Sequence, residues 1–402
     1  SAATMSAPET KVSTKEYFDY QGFGGKLLFT VALAVVSLAL AVWGGFLSSK
    51  QFAFSWLFAF TFFFTISTGA LFWILVHHAV DADWSVVVRR QLENIAWLFP
   101  VLAILFIPII LNAPTLFKWM NIAPGEDVLL DGKAAYLNEP FFWVRAGFYF
   151  LFFSGATFLL RRNSLRQDKD GDPRYTWSSR KMVFPMLPLF ALSLTFGAFD
   201  WLMGLDFHWF STMWGVYIFA GSALSSMCVL VLLITALRSA GYLEGVVTIE
   251  HYHIMGKLML AFTVFWAYIG FSQYMLIWYA NIPEETTYFL RRNTGSWNTL
   301  NIIMVIGHFF LPFVILLFQA TKKKPLLLCA VAVWILLMHM LDLYIIVLPT
   351  YHKAGASFHW LDLVCLLAIG ATLAAIFMKR LGDTPLWPIK DPRLANSLKL
   401  RN

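Results

Sequence analysis

Ten long apolar stretches constrain the fold of this 402-residue chain more than any motif does. A helix needs about 20 predominantly apolar residues to cross the hydrocarbon core of a bilayer. The composition agrees, since 59% of the residues are hydrophobic, 13% are charged and the mean hydropathy is +0.66. The sequence therefore predicts an all-α polytopic membrane protein. The predicted spans are 25–47, 54–77, 95–113, 141–161, 183–205, 212–238, 257–280, 298–320, 326–348 and 358–379.

Basic residues are distributed unevenly between the two sides of the predicted membrane domain. With ten spans both termini share one side, and most of the 30 lysines and arginines fall on it. The positive-inside rule then places both termini in the cytoplasm. The net charge of +7 is explained by the basic residues on the cytoplasmic side, which set the topology and also attract anionic lipids. We therefore expect no nucleic-acid partner. The first span is expected to be an anchor, because nothing after it resembles a signal-peptide cleavage site.

Polar segments divide the chain into three regions. They are a cytoplasmic N-terminal segment (1–24), a transmembrane domain (25–379) and a cytoplasmic C-terminal tail (380–402). Within the transmembrane domain, spans 2–5 and 6–9 are predicted to be parallel repeats. Spans 2 and 6 contain similar small-residue stretches, "STGA" and "GSALSS", and spans 5 and 9 each carry an aspartate, Asp200 or Asp342. We expect two four-helix bundles, with spans 1 and 10 outside them.

The tail 380–402 contains three prolines and scattered charges, and such a composition cannot build a core of its own. We expect it to be extended, to bind other subunits and to contribute little to the fold. Trp387 is a large apolar residue in this otherwise polar segment, as in a docking surface.

Cysteine spacing excludes several kinds of redox centre. Cys228, Cys329 and Cys365 are isolated, and no pattern for covalent haem or an iron–sulfur cluster occurs. Nucleotide-binding and zinc signatures are absent as well. The sequence therefore predicts no cofactor in this chain. A non-covalent haem between His308 and His339, which have similar depths on neighbouring spans, is an alternative.

Polar side chains within or beside the spans suggest proton conduction. An ionisable group in a bilayer costs a few kcal/mol or more, so each one needs a partner or a purpose. Histidines and carboxylates also exchange protons readily near neutral pH. The residues of this proton-relay hypothesis are His77, His78, Asp81, Asp200, Gln273, Glu284, His308, His339 and Asp342.

Each part of this hypothesis has a structural alternative. Residues at the membrane boundary are often simply solvated, and His339 and Asp342, three apart on a helix, could bond to one another. Gln273 and Glu284 are eleven residues apart, about three helical turns, so they could share a face that leads protons outward. Gln273 could equally bond to a neighbouring helix. Asp200 and Asp342 are expected to be unpaired.

Three stretches resemble a known family: "LFWILVHHAVDADWSVVVRRQLENI" (71–95), "AFDWLMGLDFHWFSTMWGVYIFAGS" (198–222) and "FWAYIGFSQYMLIWYANIPEET" (265–286). They are similar to the smaller of the two large membrane subunits of bacterial alternative complex III. That complex is a respiratory quinol:cytochrome c, or oxidase-linked, oxidoreductase. The resemblance covers essentially all ten spans and extends in fold to the membrane subunit of polysulfide reductase.

The resemblance implies a cofactor-free subunit in the bacterial inner membrane, not catalytic alone. Its implied partners are the larger paralogous membrane subunit, periplasmic subunits that hold iron–sulfur clusters and c-type haems, lipids and, in some cases, a terminal oxidase. Quinone binding by this subunit is an alternative function. A stand-alone secondary transporter is another, although transporters commonly have inverted repeats and the repeat predicted here is parallel.

Overall fold

The computed structural model describes residues 15–401, so residues 1–14 of the predicted N-terminal segment lie outside the described residues. Within 15–401 every regular element is a helix and no β-strand occurs. Ten of these helices are long and apolar enough to cross a membrane, which confirms the predicted fold class. They are α1 Gly24–Leu47, α2 Ser49–Ala79, α3 Val86–Leu111, α4 Glu139–Asp170, α5 Arg174–Asp206, α6 Trp214–Ser239, α7 Ile249–Ala280, α8 Gly295–Leu317, α9 Pro325–Thr350 and α10 Trp360–Arg380.

Several helices extend beyond the predicted apolar spans on the side that carries the tail. We name this side the tail face and the other side the opposite face. At the tail face α3 begins at Val86 and α4 continues to Asp170. Arg89 and Arg90 in the added part of α3 are buried. Hydropathy detects only the apolar part of a helix, so it misses polar turns that the rest of the protein covers.

The ten long helices form two four-helix bundles. Helices α2 to α5 make the first bundle, and α6 to α9 make the second. The bundles meet mainly along α2 and α6, with further contacts of α5 with α6 and of α9 with α2. Helices α1 and α10 pack against each other and against α2, outside both bundles. The predicted arrangement is confirmed, whereas the repeat relation between the bundles stays a prediction.

Small residues allow α2 and α6 to approach closely where the bundles meet. A Cβ atom on Gly69 would overlap the carbonyl oxygen of Ser222 and the hydroxyl of Ser226. One turn further along α2, the indole N–H of Trp73 donates to the carbonyl of Ala223 at 3.0 Å. Helices in membranes commonly pack through small residues that bring their backbones together. Gly69 is therefore part of the contact that joins the two bundles.

We expect Gly69→Ala to lower the free energy of unfolding by about 1–3 kcal/mol, because the added methyl group is forced against helix backbone. The matched control is Gly155→Ala on α4, where no heavy atom lies within 4 Å of the added Cβ. Alanine is the better helix former, so this control should be neutral or slightly stabilising. Thermal unfolding in detergent measures both variants. Equal stabilities would contradict the close contact at Gly69.

The tail folds back onto the tail face. Leu386 and Trp387 are buried. The backbone N–H of Leu386 donates to the carbonyl of Glu16 at 2.7 Å, and the Gln91 side chain donates to the carbonyl of Leu386 at 2.7 Å. The expectation that the tail contributes little to the fold is therefore wrong. A segment without a core of its own is ordered here by a surface that the helices provide, and its binding to other subunits stays a prediction.

Candidate functional site

Three buried side chains converge in the second bundle, and we name them the inner triad: His308 on α8, and His339 and Asp342 on α9. One ligand-type atom from each residue lies within 4.8 Å of those of the other two. The Asp342 carboxylate accepts hydrogen bonds from the hydroxyl of Tyr217 (2.6 Å) and the indole N–H of Trp266 (3.1 Å). Within residues 15–401 no basic side chain forms an ion pair with Asp342. The carboxylate is therefore hydrogen-bonded but not neutralised by a cation.

The two histidines of the inner triad have unused ring nitrogens. Nε2 of His339 lies 2.9 Å from the hydroxyl of Thr65 on α2, while its Nδ1 has no partner among the described residues. Both ring nitrogens of His308 also lack a described partner. Its ring stacks on Trp266 with centroids 4.0 Å apart. Buried polar atoms are rarely left unsatisfied, so the inner triad has the capacity to bind water or exchange a proton.

The backbone of α8 is irregular at the inner triad. Residues Val305–Phe310 form a π-helical turn that contains His308. The carbonyl of Gly307 in this turn accepts a hydrogen bond from the indole of Trp334 on α9 at 2.7 Å. Such turns within α-helices are frequent at functional sites. They change the direction of the side chains that follow, and here the turn places His308 opposite α9.

The structural alternative, in which His339 and Asp342 bond to one another, is not observed. His339 is directed towards Thr65 in the first bundle, whereas Asp342 bonds to Tyr217 on α6 and Trp266 on α7. Residues three apart on a helix can face one another, but partners on other helices are preferred here. Spacing within one helix could not reveal those partners.

A cavity of about 720 Å³ extends from Asp342 towards the opposite face. Its inner wall includes Trp266 and Tyr217, and polar side chains further along include Gln273, Arg292 and Asn301. Apolar side chains of α7 and α8 form the rim and are exposed on the lipid-facing surface of the bundle: Tyr268, Phe271, Ile306 and Phe310. The cavity therefore opens sideways between α7 and α8, and the carboxylate lies in its wall.

Asp200, the aspartate expected to match Asp342, is paired. Arg145 on α4 binds it through two N–H groups, with Nε–Oδ2 at 2.9 Å and Nη2–Oδ1 at 2.8 Å. The hydroxyl of Tyr149 donates to the same carboxylate at 2.7 Å. The Arg145 guanidinium also stacks over the ring of Tyr136, 3.9 Å from its centroid. The expectation of an unpaired carboxylate is therefore wrong for Asp200, which is part of a buried ion pair.

The predicted shared face of Gln273 and Glu284 does not exist, because the helix ends between them. Helix α7 stops at Ala280, Asn281 adopts a left-handed conformation with φ 51°, and a new short helix, Pro283–Arg292, begins. Gln273 accepts a hydrogen bond from the hydroxyl of Ser211 at 2.6 Å. Glu284 is exposed. Gln273 therefore bonds to the loop between α5 and α6, and not to a neighbouring helix as the alternative interpretation had it.

His77 and His78 lie beneath the tail and not at an open entrance. Nη1 of Arg89 is 2.8 Å from Nε2 of His77. A guanidinium group only donates, so Nε2 accepts and the ring proton is on Nδ1, 2.5 Å from the hydroxyl of Ser85. Protonation of Nε2 would break the contact with Arg89. His78 is buried, and neither of its ring nitrogens has a described partner.

Buried charges that the sequence analysis missed hold the tail face together. Arg89 pairs with Asp391 (2.7 Å) and Glu93 (3.1 Å), and Arg90 pairs with Glu93 (3.0 Å) and Asp168 (2.6 Å). We name these five residues the tail-face ion network. The spacing of the two arginines from Glu93 suits pairing on one helix. Their partners Asp168 and Asp391 come from distant parts of the chain, so no local signal indicates them.

Two aspartates outside the membrane spans, Asp391 and Asp81, form ion pairs with arginines of the tail face. Burial alone would raise the pKa of Asp391, but the guanidinium groups of Arg89 and Arg393 hold it below its usual range. Asp81, at a left-handed backbone position with φ 53°, accepts hydrogen bonds from Arg393 (3.0 Å) and Arg180 (3.3 Å). Asp81 is thus ion-paired at the protein surface.

The structure therefore groups only three of the nine predicted relay residues, His308, His339 and Asp342. Gln273 lines the cavity that begins at Asp342. The other five lie away from the inner triad: His77, His78 and Asp81 at the tail face, Asp200 in the ion pair with Arg145, and Glu284 exposed after α7. Neither a protein-family model nor a curated protein matches the chain.

Proposed function

We propose that this chain is a proton-conducting membrane subunit of a respiratory quinol oxidoreductase of the alternative complex III type. The observation that supports it most is the inner triad, a buried carboxylate without a cation beside two histidines that have unused ring nitrogens. In this proposal electrons pass through iron–sulfur and haem subunits on the periplasmic side, next to the larger paralogous membrane subunit. Both termini face the cytoplasm of a bacterial inner membrane, as the positive-inside rule predicts.

Asp342 is the central group of the proposed relay. Its carboxylate accepts hydrogen bonds from Tyr217 and Trp266, and no basic side chain within residues 15–401 forms an ion pair with it. In this proposal the carboxylate accepts a proton and then releases it. A proton released from Asp342 enters the cavity that leads towards Gln273 and Arg292. Water in this cavity would carry it to the opposite face.

On the side of the inner triad away from the cavity, His339 forms a hydrogen bond with Thr65 on α2. This bond links the inner triad to the contact between the two bundles. Buried hydroxyl groups continue from there towards the tail face on α2 and α6: Thr68, Ser222, Ser225 and Ser226. Each of these four hydroxyls donates to a carbonyl of its own helix. The path therefore requires small rotations of hydroxyl groups, or intervening water, for a proton to pass.

A second candidate function is quinone binding, and the lateral cavity favours it. Its volume of about 720 Å³ and its mostly apolar, aromatic wall suit a ring with an isoprenoid chain that enters from the bilayer. Asp342 and Tyr217 are the polar groups at its inner end. A photoreactive quinone would label the cavity wall at Trp266 or Tyr268 in this case, and would label only other subunits if the chain conducts protons alone.

We expect Asp342→Asn to preserve quinol oxidation by the detergent-solubilised complex and to lower proton translocation in sealed vesicles. The amide still accepts a hydrogen bond but cannot exchange a proton near neutral pH. The ratio of protons translocated to electrons transferred is the measurement. Asp362→Asn is the matched control, because Asp362 is also a buried carboxylate but bonds to Ser55 and Gln51, away from the inner triad.

The control should keep the wild-type ratio. If the Asp342→Asn complex assembles normally and its ratio is unchanged, Asp342 is a structural residue and the proposed relay is wrong. If quinol oxidation falls instead and the quinone probe labels Trp266, the chain is a quinone-binding subunit.

A further inference from the structure

A second cavity, of about 470 Å³, lies at the tail face between α3, α4 and the start of the tail, and we name it the basic pocket. Its lining contains a single acid, Asp383. It also contains five basic residues, Arg161, Arg162, Arg166, Lys169 and Arg380. The basic pocket therefore has a large excess of positive charge in a small volume.

The positive charge of the basic pocket is not neutralised within residues 15–401. None of its five basic side chains takes part in a described ion pair, whereas Arg89, Arg90, Arg180 and Arg393 of the same face are all paired with carboxylates. Arg161 is 7% exposed, and its hydrogen bonds go to the neutral groups of Asn94 (2.6 Å) and Thr384 (3.4 Å). Glu93 and Asp383 attract Arg161 at longer range, but Glu93 is already paired with Arg89 and Arg90. Burying a cation without a direct ion pair is unfavourable, so an anion is expected here.

The side of the basic pocket that faces the bilayer is apolar. Trp97 and Phe158 stack with ring centroids 6.0 Å apart, and Phe158 is exposed on the lipid-facing surface of α4. Arg161 and Arg380 each lie about 6 Å from the ring of Trp97. Along α4 the surface thus changes within one turn from apolar to strongly basic. Aromatic rings beside cations are typical of the level at which lipid headgroups lie.

We propose that the basic pocket binds the phosphate headgroup of an anionic phospholipid, whose acyl chains lie along Phe158. Basic pockets between transmembrane helices are suited to such headgroups. A lipid with two phosphates, such as cardiolipin, uses more of the five cations than a lipid with one phosphate and binds more tightly. The bound lipid supplies the counter-charge for Arg161 and connects α4 to the beginning of the tail. This site does not depend on the proposed proton relay.

Native mass spectrometry of the full-length protein in detergent tests this proposal, with cardiolipin, phosphatidylglycerol, phosphatidylcholine and inorganic pyrophosphate as separate probes. The test variant is Arg162→Gln/Arg166→Gln, because both side chains are exposed and we expect their replacement to leave the fold intact. We expect its affinity for cardiolipin to fall about tenfold or more, since each basic residue near a membrane surface contributes about 1 kcal/mol. The control is Arg174→Gln/Lys181→Gln, which removes the same charge outside the basic pocket and should retain cardiolipin.

Binding should follow the order cardiolipin, phosphatidylglycerol, phosphatidylcholine in the wild-type protein. Equal cardiolipin retention in both double variants would overturn the proposal, because the attraction would then come from the whole face. Pyrophosphate binding as tight as that of cardiolipin would also overturn it, since the site would recognise free phosphate and not a lipid. Unfolding temperatures close to the wild-type value check that both variants are folded.

Discussion

Asp391→Ala is expected to release the tail from the tail face and to lower the free energy of unfolding by about 3–5 kcal/mol. The Asp391 side chain is fully buried and accepts hydrogen bonds from Arg89 (2.7 Å) and Arg393 (3.0 Å). Its removal leaves Arg89, itself 1% exposed, with Glu93 as its only carboxylate partner within residues 15–401. Glu93 is also shared with Arg90. A buried charge that loses its partner is strongly destabilising.

Thermal unfolding and limited trypsin digestion after Lys390 and Arg393 measure this effect. The matched control is Asp383→Ala, which removes an exposed acid from the same tail without breaking a described ion pair. The control should remain as stable and as resistant as the wild type. A tail equally protected in both variants would show that Trp387 and Leu386, and not the ion network, hold it in place.

The docked tail should also tolerate mild acid. The folded-state pKa of Asp391 lies below its usual value because Arg89 and Arg393 favour the charged form, although burial opposes them. The contribution of Asp391 to the free energy of unfolding is therefore complete above its pKa in the unfolded chain, about 4. This contribution is lost only as the pH falls through the lower pKa of Asp391 in the folded protein. Fluorescence anisotropy of a dye on a Lys399→Cys variant should stay constant from pH 7 to about pH 4 and fall below it.

Arg145→Met is expected to lower the free energy of unfolding by a similar amount, about 3–5 kcal/mol. Asp200 would keep only the hydrogen bond from Tyr149 while it remains buried and charged. The double variant Arg145→Met/Asp200→Leu removes both charges and should recover most of the loss, since a buried ion pair is often no more stabilising than apolar residues of similar size.

Chemical unfolding of the four proteins in this cycle gives the coupling energy between Arg145 and Asp200. A single Arg145→Met variant that costs less than about 1 kcal/mol would mean that Asp200 is not held mainly by this arginine. In that case Asp200 would again be a candidate for the proton path. We expect the larger loss of stability instead, because Arg145 also packs against Tyr136 and Phe141.

Asp200 and Asp342 show why the candidate site could be predicted only in part. Both lie in spans that run from the tail face to the opposite face, and the sequence treats them alike. The structure separates them, because Arg145 projects from the neighbouring α4 onto Asp200, whereas Asp342 accepts hydrogen bonds from Tyr217 and Trp266 and forms no ion pair within residues 15–401. The convergence of His308 with His339 was anticipated from their similar depths in the membrane. The depth of a residue in the membrane can be predicted by counting residues along its helix, but the direction of its side chain depends on how the helices pack together.

The sequence by itself determined the membrane class and the ten spanning helices, because long apolar stretches have to form helices in a bilayer. The predicted grouping into two bundles depended instead on the proposed repeat of spans 2–5 and 6–9. The sequence also located the small residues at Gly69 that join the bundles. Only the tertiary structure decided which polar groups are paired and that the tail is part of the fold, whereas the end of α7 at Ala280 agrees with the predicted span 257–280. The physical reason is that hydrophobicity acts on a segment irrespective of its neighbours, whereas ion pairs and hydrogen bonds need particular atoms from distant parts of the chain, such as Arg89 and Asp391, within about 3 Å of each other.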